Sequence, residues 1–210
     1  MVSGWHLHQL LTDFGAGINA LMREAPLAGS KSGQTQQILS PVGEHFLAGL
    51  LVHAHSMKAF CMPTINGYAH FQPNALAPQA AVWGRDNRGA MLRVIGSPND
   101  GATRLENRIG EPVATSCSHA ASQSYAGLDG IQRQLTALPT TTSPYSVGEV
   151  QLPDNLDATL YALSCDAAFA EAFGTDFIGY YTRIKRQEIT RHEAAVDKVE
   201  RQRRKYFSRI

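Results

Sequence analysis

At 210 residues, with 43% hydrophobic and 18% charged side chains and a formal net charge of +1, the chain can hold one globular domain or a part of a larger one. No apolar run approaches the roughly 20 residues that span a bilayer, so neither a membrane span nor a secretory leader is expected. The cysteines Cys61, Cys117 and Cys165 are odd in number and not in metal-ligand spacing, which reads as reduced, small, buried residues of a cytoplasmic protein.

The first residues already read as a strand: in SGWHLHQLL, His6 and His8 fall on one face and Trp5, Leu7 and Gln9 on the other. Arg23 to Gln37 is rich in Gly, Ser, Pro and Gln and reads as a loop. Ser40-Pro41 supplies a helix cap followed by proline at the first helical position. Phe46, Leu47, Leu50, Leu51, Ala54 and Met57 then recur at helical spacing, predicting one buried helix from Val42 to about Phe60. His53 and His55 diverge on that helix and read as packing or surface residues. Pro63 to Tyr68 ends the helix and enters an extended connection, AHFQPNALAP, read as a loop over a sheet edge.

From Trp83 to Arg108 five arginines (Arg85, Arg88, Arg93, Arg104, Arg108) accompany Glu106. Exposed ion pairs contribute only about 0–1 kcal/mol, whereas clustered guanidinium groups suit bidentate binding of phosphates and carboxylates. Alternation in RLENRI puts Arg104, Glu106 and Arg108 on one strand face and Leu105 and Ile109 on the other. Arg88 and Arg93 are five apart and share a site only if Arg88 lies on a loop or bulge leading to a strand that carries Arg93.

After Pro112, small and polar residues predict a helix to about Leu135, broken at Gly127 and Gly130. Thr140 to Ser143 reads as a polar linker before Pro144, and Pro153–Leu163 and Cys165–Phe173 read as two short helices. Phe177, Tyr180, Tyr181 and Ile184, continued by Ile189, Val196 and Val199, predict one long C-terminal helix. From Arg183 onward ten Lys/Arg face four Asp/Glu. No stacking aromatics or known binding motif accompany them, so they read as a solvated helix face and no nucleic-acid partner is expected.

Taken together, these pieces resemble the glutamine synthetase family over almost the whole chain. SGWHLH resembles its G-S-G-M-H-x-H strand, PTINGY its P-T-x-N-S-Y turn, LAP its E-A-P loop, DNRGAMLR its N-R-x-x-x-x-R segment and RLENR its R-I-E-x-R strand. The wording NGY, PNALAP, WGRDNR and NRIGEP is similar to the members that join glutamate to organic amines or anilines. The resemblance implies an α+β fold, with a curved antiparallel sheet lining the site, flanking helices and a helical C-terminus. It divides the chain into part of the catalytic domain (1–143) and a C-terminal helical part of the same domain (144–210). It also implies an ATP-dependent ligase that phosphorylates the glutamate side-chain carboxylate and lets ammonia or an amine displace the phosphate.

By the same resemblance, His6 and Glu106 are expected to ligate Mg2+ or Mn2+, and His8, Arg93 and Arg104 to contact ATP phosphates. Arg88 is expected to steady the transferred phosphoryl group and Arg108 to hold the glutamate carboxylate. The family forms homo-oligomeric rings. Several positions depart from its pattern: Met1 and Val2 replace an Asn and a Gly that help hold glutamate, Leu10 a serine, Leu76 the flap glutamate and His70 the arginine that clamps the α-carboxylate. Thr115-Ser116-Cys117 stands for N-P-Y. Because the family's other metal-binding carboxylates lie upstream of the histidine strand, an incomplete site is expected, with a catalytically inactive remnant or interaction protein as the alternative.

Overall fold

The computed structural model describes residues 4–24, 38–68, 77–146 and 149–207. Met1, Val2, His70, Leu76 and most of the loops expected at 23–37 and 69–78 lie outside them. Four strands, β1 (Trp5–Gln9), β2 (Trp83–Arg85), β3 (Leu92–Ile95) and β4 (Arg104–Gly110), form one sheet in the order β1-β4-β3-β2. The pairs β1–β4 and β3–β4 are antiparallel, as expected, while β2 adds to β3 in parallel. Long non-local connections thus bring the histidine strand beside the arginine strand, about a hundred residues apart in sequence. The fold is α+β.

Helices α1 (Pro41–Val52), α2 (Ala54–Cys61) and α4 (Ser116–Gln132) back the sheet, with the one-turn α3 (Ile65–Tyr68) between α2 and β2. Helices α5 (Leu156–Cys165), α6 (Ala167–Phe173), α7 (Thr175–Glu193) and α8 (Lys198–Gln202) follow. Ser40 caps α1 by accepting from Gly43 N, with Pro41 next in line. One apolar core runs from Leu21 and Phe46 through Leu92, Val94 and Leu105 to Leu160, Phe169 and Ile178. The sheet therefore has one face on this core and one toward solvent, where polar side chains can gather.

Four expectations about the helices and their connections are corrected. The single helix expected over 42–60 is two, because His53 leaves helical geometry (φ −92°, ψ 11°) and turns its ring between Asp129 and Asp166. Gly127 and Gly130 do not break α4. They are where α1 crosses it: a Cβ on Gly130 would stand 2.6 Å from Gly49 N, and one on Gly127 would enter the Phe46 ring. Pro63 to Tyr68 contains the helical turn α3 rather than running extended. The long C-terminal helix stops at Glu193 and resumes at Lys198. Val196 is fully exposed in the break, and the buried face of α7 carries Ile178 and Thr182.

The polar run at 140–143 follows the sheet edge, with Thr141 N donating to Trp83 O at 2.9 Å and Trp83 Nε1 to Leu138 O at 2.6 Å. Cys61 is buried, as expected, and burial pushes its thiol up to about 12. Cys117 and Cys165 are exposed, contrary to the small-core reading. Among the described residues no helix is long and apolar enough to cross a membrane.

Candidate functional site

Glu106 is the centre of the exposed sheet face. Register places it opposite His8 on β1 and opposite Arg93 on β3. Its neighbours Leu105 and Asn107 point to the other face, where Leu105 enters the core and Asn107 Nδ2 donates to Gln123 Oε1 at 2.9 Å. Gln9 Nε2 reaches the same Gln123 oxygen at 3.3 Å, so a polar bond ties β1, β4 and α4 together behind the site. The alternation expected from WHLHQ and RLENR is the alternation observed.

The register of β1 shifts between Trp5 and Leu7, an irregularity that re-aims side chains near it. His6 Nδ1 thereby comes 2.8 Å from Glu106 Oε1, while His8 Nε2 stays 3.8 Å away. Arg93 donates from NH1 to Glu106 Oε2 at 2.9 Å, and Arg108 from NH1 to Glu106 Oε1 at 3.0 Å. Arg104 donates from Nε to His8 Nδ1 at 3.2 Å and from NH1 to Ala102 O at 3.0 Å. Thus His6, His8, Arg93, Arg104, Glu106 and Arg108 form one contiguous group.

Arg88 stands apart, exposed on the turn between β2 and β3. The sequence requirement that it enter from a loop while Arg93 sits within a strand is met, and no contact joins Arg88 to Glu106 among the described residues. Arg85 is exposed at the end of β2.

Charge is concentrated here at low exposure. The Glu106 side chain is 3% exposed. Burial pushes its carboxyl up, but the hydrogen bond from Arg93 and the charge of Arg108 outweigh this and hold it below the ordinary carboxylate value. His6 is pushed down by burial and by Arg108, more than Glu106 raises it. At neutral pH the site therefore combines an ionised carboxylate, a neutral imidazole and an array of guanidinium groups. The Nε atoms of Arg93 and Arg108 are buried and make no hydrogen bond among the described residues.

A metal would find an imidazole and a carboxylate, donors suited to Mg2+ or Mn2+. A Cβ on Gly4 would stand 3.3 Å from His6 Nε2, so glycine keeps that nitrogen accessible. Among the described residues no three His, Cys, Asp or Glu are grouped to hold a metal. Octahedral Mg2+ takes about six ligands, so the pair fits one side of such an ion. A separate cavity of about 410 Å³, lined by Phe60, Thr64, Tyr181, Lys185 and Lys205 among others, shares no residue with this group.

Two features escaped the sequence reading. Asp86 bonds Arg93 from the turn after β2; WGRDNR contains it, but only the register of β3 shows which arginine it meets. The second is His53, whose ring is bonded on both sides by carboxylates from α4 and the start of α6. Helical periodicity carries no signal for those partners, 76 and 113 residues away.

Residues 2–204 match the family model described as glutamine synthetase, catalytic domain. The chain is similar to a gamma-glutamylanilide synthase of Acinetobacter sp, with 38% identity over 192 residues, covering 91% of this chain and 36% of that protein. It is also similar to gamma-glutamylethanolamide synthetase GlnA4 of Streptomyces coelicolor (33%, covering 75% and 34%). A glutamine synthetase of Methanocaldococcus jannaschii is 33% identical, with coverage of 72% and 35%. The chain thus spans about a third of the length of these relatives. The solved structure of ligand-free GmaS superposes with a TM-score of 0.76 at 30% identity, covering 97% of this chain and 44% of that one. A GmaS complex with ADP gives 0.74 at 28% identity.

Proposed function

The chain belongs to the glutamine synthetase family, and from that premise we propose that its exposed sheet face is the phosphate- and carboxylate-binding wall of an ATP-dependent ligase. The reaction joins the glutamate γ-carboxylate to ammonia or an organic amine through γ-glutamyl phosphate. The observation that carries this reading is the convergence of His6, His8, Arg93, Arg104 and Arg108 on or beside Glu106.

In the first step a glutamate γ-carboxylate oxygen attacks the γ-phosphorus of ATP, and the bond to the β–γ bridging oxygen breaks, releasing ADP. In the second, the amine nitrogen attacks the γ-carbonyl carbon and inorganic phosphate leaves. Negative charge spreads over the phosphoryl oxygens during transfer, so fixed cationic donors stabilise that state more than the ground state. Arg93 and Arg104, with His8, hold the nucleotide phosphates; Arg88, on its exposed turn, meets the transferred group; Arg108 holds the glutamate carboxylate. His6 and Glu106 would hold Mg2+ or Mn2+, which would add positive charge beside the phosphates. Glu106 also keeps Arg93 and Arg108 aligned through two hydrogen bonds. Leu76 at the family's flap glutamate, with the likeness to gamma-glutamylanilide and gamma-glutamylethanolamide enzymes, supports an amine larger than ammonia.

Isothermal titration of the chain with a non-hydrolysable ATP analogue and Mn2+ tests the reading. Metal-dependent binding, weakened by Arg104→Gln and by Glu106→Gln, is expected. Absence of metal-dependent binding favours the alternative, a catalytically inactive remnant or interaction protein.

A further inference from the structure

The Arg93 guanidinium is shared between two carboxylates that are held in opposite ways. Its NH1 donates to Glu106, whose side chain is 3% exposed at the centre of the sheet, and its NH2 donates to Asp86, whose side chain is 70% exposed. Asp86 follows β2 with a left-handed backbone (φ 47°), anchored by its N–H donating to Val94 O at 3.0 Å. It opens the turn that bears Arg88. Asp86 is thus an exposed anion on the outer edge of an arginine whose inner edge is fixed by a buried one.

We propose that Asp86 competes with nucleotide phosphates for the outer edge of Arg93 and so sets the phosphate affinity of this wall. When a polyphosphate binds, Asp86 gives up its bond and Glu106 keeps its own. The proposal rests on the phosphate-binding reading of the arginine face. Two physical differences separate the carboxylates. An exposed ion pair is screened by solvent and weak, so a polyanion that engages several arginines together displaces Asp86 at small cost. Removing a partner from a buried pair leaves an uncompensated buried charge, which keeps Glu106 in place. Asp86→Asn cuts the charge and keeps a residue type that tolerates positive φ, so the turn is preserved.

The test is a double-mutant cycle on the 210-residue chain, titrating inorganic tripolyphosphate calorimetrically into wild type, Asp86→Asn, Arg93→Gln and the double variant at one ionic strength. Asp86→Asn is expected to bind about two- to fivefold tighter than wild type, the span an exposed ion pair covers, and to change nothing in the Arg93→Gln background. A gain that persists without Arg93 would reflect the general field of the surface and overturn the proposal. Equal or weaker binding by Asp86→Asn overturns it too, while leaving the anion site standing. No binding by wild type or Asp86→Asn overturns both the proposal and the reading beneath it. If Arg93→Gln binds too weakly to titrate, isotope-edited NMR of the Asp86 carboxylate decides. Saturating tripolyphosphate must then move the wild-type Asp86 carboxylate carbon toward its position in free Arg93→Gln, and an unmoved signal rejects competition.

Discussion

His53 Nδ1 and Asp166 Oδ2 lie 2.8 Å apart, and the same imidazole reaches Asp129 Oδ2 through Nε2, also at 2.8 Å. A neutral imidazole donates from one nitrogen only, so both contacts are made by the imidazolium. Burial works against that charge, but the bonds to Asp166 and Asp129 outweigh it and raise His53 above its ordinary 6.5. Asp166 is pushed up by burial and held down more strongly by His53 and Ser56. Arg133, 3.0 Å from Asp129, and the ring of Phe169 complete the surroundings.

The sign follows from linkage. His53 holds its proton more tightly when folded, so its contribution is complete below pH 6.5 and is lost as pH rises through the raised value. Asp166 contributes above its ordinary 3.8, and that contribution is lost as pH falls through its lower folded value. His53→Gln should cost about 3 kcal/mol at pH 6, as for a buried pair that loses one partner. Measured by urea unfolding, the gap between wild type and variant should shrink from pH 6.5 upward; a gap independent of pH would reject the imidazolium assignment of His53.

The α1–α4 crossing gives a second prediction. A Cβ on Gly130 would stand 2.6 Å from Gly49 N and 2.7 Å from Gly49 Cα, both backbone atoms that cannot rotate away. Gly130→Ala should therefore destabilise by about 3 kcal/mol or prevent folding. Gly179, inside α7 with open space around its Cβ direction, should gain about 1 kcal/mol as alanine. Thermal unfolding of the two variants checks both signs, and a tolerated Gly130→Ala would contradict the close crossing.

These two sites show where sequence periodicity stops being informative. Alternation around Glu106 was legible because strand parity is local: Leu105 and Ile109 had to face the core, so Arg104, Glu106 and Arg108 had to face away. The facing of His6 and His8 was legible for the same reason. That β1 would pair with β4 at His8–Glu106 was not, because pairing joins residues far apart in sequence and is decided by packing. Gly127 and Gly130 were misread because glycine weakens a helix in isolation, and its use for close helix contact depends on a partner helix elsewhere in the chain. His53 was rightly read as able to pack inside, since it is buried, but its two carboxylates were not legible because α4 and the residue before α6 supply them.

Glu111 supplies a third prediction, from a carboxyl buried beside the α3 turn. It accepts from Thr64 N and Thr64 Oγ1, both at 2.8 Å, and so pins the turn at α3. Burial nevertheless dominates and raises its carboxyl from 4.5 to about 7. The folded protein binds this proton more tightly, so the contribution is complete below pH 4.5 and fades as pH rises through 7. Glu111→Gln, which needs no proton to stay neutral, should be close to wild type at pH 5 and more stable by about 1–2 kcal/mol at pH 8. A variant destabilised equally at both pH values would show that the ionised carboxylate is the form Thr64 holds.

Arg88 separates binding from folding most cleanly. It is exposed on the β2–β3 turn and makes no hydrogen bond or ion pair among the described residues, so Arg88→Ala should change unfolding free energy by less than about 0.5 kcal/mol. Under the proposed reaction its guanidinium meets the phosphoryl group as charge spreads over the transferred oxygens. Loss of one such preorganised donor costs about a hundred- to a thousandfold in rate. In a complete catalytic domain carrying this sequence, γ-glutamyl hydroxamate formation should fall by that order, while binding of ADP changes far less. Arg88→Lys restores charge without the planar fork and should recover only part of the rate. Full activity in Arg88→Ala would remove Arg88 from the reaction and leave Arg93, Arg104 and Arg108 as the cations that act.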